Sequence, residues 1–441
     1  MIYTKLVECC TFIKDGTHSS PTRVRDGIPV LSAINVVDGR LNFDTDRFTT
    51  MEELNLFRKR LYPQKGDVLL TIVGTIGRTA ILTESKSLVF QRSVCVLRPQ
   101  KSILDSVYLR YVLESVDVKR QLEQATHEVA QAGVYLESLN QIDIPLPPLP
   151  EQKRIAAILE KADRLRRLRR YALELSGTYL QSVFLEMFGN PGKNTKNWQT
   201  GRLYQLCRKI IDCPHSTPIY SPTLTEYACI RSSDIQDGVL DWSTTKYVDY
   251  NEYQKRIQIC APMPNDVVYC REGARFGNAA IIPQGKKVCL GQRIMLFRAA
   301  SDVATPEFIW AFLESASTYR QANRLVGGSA SPHLNVGDIK EFIVIMPPLP
   351  LQQQYTEIVQ KYERLRTQQR EAARQAEHLF QTLLHKAFQG ELTAADEADV
   401  LAAHADVDVG TMGTGQRVLG DVEVPEPVRI EGARQMVLPM E

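Results

Sequence analysis

Apolar residues recur along this chain in three modes. In "GDVLLTIVG" (66–74) and "NDVVYCREG" (265–273) β-branched and aromatic residues run together between glycines and turn formers, which predicts buried strands. In "SVYLRYVLESVDVKRQLEQA" and "PEFIWAFLESASTYRQANRL" the spacing turns helical, as with Tyr108, Tyr111 and Val112. The third mode is a stripe at alternating steps of three and four. It runs through Ile155, Ile158, Ala162, Leu165 and Ala172, and again through Tyr355, Ile358, Tyr362, Leu365, Ala372 and Leu379. A stripe sustained over several heptads is the mark of helices that pair. Each helix is expected to run about 38 residues, hence ~57 Å. Prolines sit just before each start, where a missing N–H costs least.

The stripes belong to a repeat. "PPLPEQKRIAAILEKADRLRRLRR" begins at 147 and "PPLPLQQQYTEIVQKYERLRTQQR" at 347. The offset extends outward. Gly66-Asp67-Val68 answers Asn265-Asp266-Val267, Gly77 answers Gly277, Gln91-Arg92 answers Gln292-Arg293, and His18-Ser19 answers His215-Ser216. A long two-fold repeat predicts a pseudo-symmetric molecule rather than a solenoid. The expected organisation is a head over 1–147, a spacer helix over 148–190, a second head over 191–347, a second helix over 348–392, and a tail over 393–441. The fold class is α+β: two pseudo-symmetric α/β heads joined by two long helices. Burying the two stripes against each other predicts an antiparallel coiled coil.

Charge sharpens the picture. The net +2 conceals −8 in residues 391–441, which leaves +10 on the rest. A basic body suits a polyanionic partner, and the acidic tail is predicted to be mostly disordered. No apolar run is long enough for a membrane span. The N-terminus has no secretory pattern, and nine cysteines without zinc-like spacing fit reduced thiols in the cytoplasm. Walker A, GxGxxG, HExxH and an Asn/Asp-Pro-Pro-aromatic motif are absent, so no catalytic, cofactor or metal residues are assigned. Asp67 with Glu84-Ser85-Lys86 loosely mimics a magnesium-nuclease pattern, but a solvated turn explains it as well.

The stretches "GDVLLTIVGTIGRTAIL", "FQRSVCVLRP", "LESLNQIDIPLPPLPEQKRIAAIL", "LNVGDIKEFIVIMPPLPLQQQYTEIV" and "LLHKAFQGELT" resemble specificity subunits of Type I DNA restriction–modification systems. The resemblance covers residues 1–393. The second copy departs at Leu351-Gln352, where the first has Glu151-Gln152. The resemblance implies a non-catalytic chain with two target-recognition domains. Each reads a short half-site of double-stranded DNA, and the coiled coil fixes an unread spacer between them. It implies docking of two modification subunits that hold S-adenosylmethionine and methylate adenine. It further implies restriction subunits, where present, that use ATP with Mg2+.

Base edges call for Arg, Asn, Gln, Ser, Thr or His, and phosphates for cations and close backbone N–H groups. Four loops per head carry such residues. In the first they supply Lys14, Thr17, His18, Ser19, Arg23, Arg25, Asn35, Thr75, Arg78 and Arg92. In the second they supply His215, Ser216, Tyr220, Arg231, Ser232, Arg271, Arg275, Phe276 and Arg293. Two further Gly/Ser-containing loops, 129–134 and 326–333, precede the spacer helices. Gly74, Gly77 and Gly277 serve either hairpin turns or close DNA approach, and the histidines either turns or contacts. Gln91-Arg92 and its partner copy point to a need shared by both heads, fold or phosphate. Readers of different half-sites are expected where the heads differ: Arg23, Arg25 and Asn35 in one, Tyr220, Arg271, Glu272 and Phe276 in the other. The eight basic residues of 153–170 read as a solvated face rather than a helix in the groove.

Overall fold

The computed structural model describes residues 2–127, 133–236, 238–326, 333–393 and 396–403. The loop residues 129–132 and 327–332 and the tail from 404 lie outside that set. The chain divides into two compact units. Of the described residues, one comprises those of Met1–Ala172 and those from Arg370 onward, the other those of Leu173–Gln369. Each compact unit is therefore a head with half of each spacer helix, rather than a head followed by its own helix.

Both units are built alike. In the first, a four-stranded antiparallel sheet runs in the order Cys10–Asp15, Val94–Pro99, Val68–Thr71, Thr79–Ile81. In the second the order is Cys207–Asp212, Ile294–Ala299, Val267–Cys270, Ala279–Ile281. The central strands Val68–Thr71 and Val267–Cys270 are buried at every residue, as their unbroken apolar runs require. Beside each lies a three-stranded sheet with a parallel pair, Ile28–Leu31 with Val89–Phe90 and Tyr227–Ile230 with Lys287–Leu290. Helices Ser106–Glu114 and Pro306–Glu314 cover the larger sheets and are capped by Asp105 and Thr305 side chains.

The spacer helices pack antiparallel within each unit. In the first, Arg154 reaches Leu392 and Arg166 reaches Glu377, so numbers rise along one helix as they fall along the other. Ile155, Ile158, Ala162 and Leu165 are buried there, with Leu379 packed at the edge of the same core. In the second unit Tyr355 donates to the Leu180 carbonyl at 3.3 Å, while Tyr179 stacks on Tyr362 at 5.5 Å.

Three expectations are corrected. The first spacer helix is broken into Leu149–Ser176 and Tyr179–Phe188. The break falls at Gly177, a poor helix residue whose N–H instead closes a tight turn onto Glu174. The second runs unbroken over Leu349–Gln389. Ala172 and Leu365 are exposed, and Ile358 and Ala372 only half-buried. In the second unit the stripe instead follows Gln352, Tyr355, Val359, Tyr362 and Arg366, one residue round from Ile358 and Leu365. A straight helix drifts against a 3.5-residue repeat, which permits that shift. At the start of the tail, residues 396–403 are helical and Val400 is buried in the first unit's core. Asp396 anchors that turn by accepting from Lys386 and from the Thr393 N–H. Finally, the run 153–170 is not simply solvated. Arg166 and Arg167 lie half-buried against Asp163, which has no exposed surface.

Candidate nucleic-acid interface

Four of the candidate loops of the first head meet at one end of its larger sheet. After Asp15 the chain turns so that Thr17 donates to the Phe90 carbonyl and Arg92 donates back to that of Thr17. Only glycine fits at 16, because a Cβ there would stand 2.2 Å from the Phe90 oxygen. Ile72 donates to Ser93, and the Ser93 hydroxyl accepts from the Ala33 N–H. Residues 15–19, 32–35, 71–78 and 90–93 are thereby held together. Asp15 is buried and binds both His18 and Arg60, while Arg60 also donates to the Gly16 carbonyl at 3.0 Å. An open cleft of about 580 Å³ lies here, lined among others by His18, Arg60, Arg92 and Tyr135.

The second head repeats the construction with other side chains. Gly291 again passes too close for a Cβ, 2.6 Å from the Ile230 oxygen, and Gln292 donates to the His215 carbonyl at 2.6 Å. His215 pairs with Asp212 at 3.2 Å, as His18 does with Asp15. Arg256, buried, braces this loop by donating to the Ser216 carbonyl. The Gln-Arg pair shared by the two heads thus serves the fold through its backbone and glutamine. Its arginines, Arg92 and Arg293, remain exposed.

The candidates then sort by exposure. Lys14, His18, Ser19, Arg23, Arg25, Thr75, Arg78, Arg92, His215, Ser216 and Arg293 are exposed; Thr17, Tyr220, Ser232 and Arg275 are half-buried. Arg23 is tied to Asp46 at 3.0 Å. Three candidates are corrected. Asn35 is buried and closes its own turn, accepting from the Ser32 N–H and donating to Asn42 and Asp44 carbonyls. Arg271 is 4% exposed and bound to Asp212, and Phe276 is 7% exposed in the core. Burial makes each a support for the loops rather than a surface contact. Arg231 is engaged too. Its hydrogen bond to Asp234 raises its pKa and holds the cation in place at the turn that answers Asn35. Asp67 pairs with Arg98 and Lys86 with Glu84, so the nuclease-like triplet is three structural charges. Among the described residues no group of His, Cys, Asp and Glu could hold a metal. All nine cysteines are free thiols, and no described helix is long and apolar enough to cross a membrane.

Sequence reasoning missed Arg60, Arg256 and the two aspartates behind the histidines. The Asp-x-x-His spacing at 15/18 and 212/215 was visible in the repeat. Nothing local marked the arginines, whose role depends on tertiary contact.

A family model described as "Type I restriction modification DNA specificity domain" matches residues 10–174 and 219–376. The Type I restriction enzyme EcoBI specificity subunit of Escherichia coli is 29% identical over 180 residues, which span 40% of this chain and 37% of that one. The EcoKI specificity subunit of Escherichia coli strain K12 is 23% identical over 410 residues, 85% of this chain and 84% of that one. In fold, the chain is similar to the Type-I restriction-modification system S subunit from M. genitalium. There the TM-score is 0.53 at 14% identity, covering 88% of this chain and 96% of the other.

Proposed function

We propose, from the premise that the chain belongs to the Type I restriction modification DNA specificity family, that it reads an asymmetric, bipartite DNA site with a fixed unread gap. It is a non-catalytic specificity subunit. Each head reads one half-site through its loop cluster, and the helix pairs set the gap. Two modification subunits docked on it hold S-adenosylmethionine and methylate adenine at the site it selects. Where restriction subunits are present, they join the same platform in the cytoplasm and use ATP with Mg2+. The observation that carries this reading is the duplicated loop cluster, with Arg78 and Arg92 exposed in one head and His215 and Arg293 in the other, each borne on antiparallel helices. Heads that share a scaffold but differ in surface side chains favour two different half-sites over a palindrome.

The test is single-molecule sequencing of methyladenine in cells expressing this chain with its modification partner. Two short blocks around a constant gap, lost when this gene is deleted, are expected. Methylation indifferent to the deletion would overturn the reading.

A further inference from the structure

Each head closes its loop cluster with one isolated backbone bridge, and the two bridges are topological equivalents. In the first head it joins Val73 to Gly133, in the second Glu272 to His333. The residue before the bridge differs as well, Ile72 against Arg271. An apolar corner in one head is thus a charged corner in the other, on the same scaffold and beside the same exposed arginine, Arg92 or Arg293.

The charged corner is organised from beneath. Arg271 donates to both oxygens of Asp212, at 3.0 and 3.3 Å, and to the Leu334 carbonyl at 3.2 Å. Its remaining contact is the His333 ring, nearest at Nε2, 3.2 Å away. The same Arg271 nitrogen stands 3.4 Å from His333 Nδ1. His333 Nδ1 and Glu272 Oε2 are hydrogen-bonded at 3.0 Å, while Arg293 Nε stands 3.6 Å from Oε1. Arg293 is held there by a backbone φ of +70°, rare outside glycine. The Glu272 side chain is only 26% exposed, against 49% for His333 and 57% for Arg293. It is a fixed carboxylate with two flanking cationic or N–H partners and lone pairs left over.

Facing phosphates, such a carboxylate would be repelled. Facing base edges, it suits one donor in particular, the cytosine N4 amino group in the major groove. We propose that Glu272 is a specificity-determining residue of the second head, accepting from a cytosine amino group, with His333 and Arg293 as its positioning residues. The inference rests on the bipartite-site reading above. Val73 holds the same place in the first head and offers only apolar contact.

The experiment maps methyladenine motifs for the full complex carrying wild-type chain, E272Q or E272V. The wild type is expected to require a C·G pair at one position of one half-site. An amide prefers adenine where a carboxylate prefers cytosine, so E272Q is expected to shift that position toward A·T by about tenfold relative to wild type. E272V, which copies the first head, is expected to lose the preference there. The other half-site stays unchanged in both. An unaltered motif in both variants overturns the inference and leaves the bipartite reading intact. A variant that co-purifies with its partners yet methylates nothing assigns Glu272 to structure, and the inference falls. A wild-type motif that is not bipartite overturns both.

Discussion

In the first unit the head meets the spacer helices through buried charge. Asp163, with no exposed surface, binds Arg110 at 2.9 Å, Arg166 at 2.7 Å and Arg167 at 3.2 Å, and accepts from the Tyr111 hydroxyl. Two hundred residues on, the second unit has Trp310, Ala311, Glu363, Arg366 and Thr367 at those places. Its joint lacks that charge centre and holds more rings than the first, where Tyr108 meets Phe388 at 5.7 Å and Tyr111 meets Phe380 at 6.1 Å. Phe184, Phe188, Phe308 and Tyr355 contact one another at 5.0 to 5.8 Å. Even the facing glycine is kept for different neighbours, Gly39 against the Arg110 guanidinium and Gly238 against the Trp310 ring. One backbone joint therefore accepts two chemistries. The aromatic form gains from area removed from water. The ionic form adds little net stability but fixes geometry, because each charge is costly without its partner.

The largest test of that contrast removes the centre of the ionic joint. Asp163→Ala leaves three arginines without their shared acceptor and is expected to cost about 4 kcal/mol. Glu363→Ala, the half-exposed counterpart that among the described residues pairs with Arg366 at 3.5 Å, is expected to cost under about 1 kcal/mol. All three tryptophans, at 198, 242 and 310, lie in the second unit. Urea unfolding followed by tryptophan emission thus reports that unit, and hydrogen exchange over residues 108–113 reports the other. Equal costs for the two variants would break the comparison.

A smaller and symmetric effect is expected where the joints agree. Gln152 and Gln352 are both fully buried and make the same three bonds. Gln152 accepts from the Asp105 N–H and donates to the Ile103 and Pro147 carbonyls. Gln352 does the same with Thr305, Val303 and Pro347. Alanine at either position strands those backbone groups, at about 2 kcal/mol each, read by the same two probes. Unequal losses would show that the joints differ beyond their charges.

Acid separates the units more gently. Burial raises the Asp163 pKa, but Arg110, Arg167 and Arg166 outweigh it and the net shift is downward. Its contribution is therefore complete above the ordinary carboxylate value of about 4 and is lost as pH falls through the lower folded value. Protection from hydrogen exchange in the first unit, relative to the intrinsic amide rate, is expected to fall on acidification below about pH 4, with less change in tryptophan emission. The opposite order would place the acid-sensitive joint in the second unit. The smallest effect belongs to Leu365→Lys. With that side chain 58% exposed, unfolding should shift by no more than about 0.5 kcal/mol. A larger loss would return Leu365 to the seam.

Much of this architecture was legible in the sequence, and the limits have physical causes. The repeat, the strands around 68 and 267 and the pairing of the helices followed from periodicity. The seam register in the second unit did not, since Ile358 and Val359 are equally apolar and only packing chooses Val359. The break at Gly177 was marked by the residue itself, but helix pairing hid its cost. In the candidate loops, the exposure of Arg78, Arg92 and His215 agrees with what loop composition suggests. Asn35, Arg271 and Phe276 were misplaced because a polar or aromatic residue in a loop serves the turn as readily as a ligand, and sequence does not reveal burial. The matched roles of Gln152 and Gln352 were obscured by the exchange of Glu151 for Leu351 beside them.

Those two glutamines carry a consequence of another kind. They grip the heads only by backbone N–H and C=O groups, which every head possesses whatever its side chains. A head's reading surface can therefore be rewritten, gradually or wholesale, without renegotiating its seat. Novelty in what is read and constancy in how it is held are thereby assigned to different atoms.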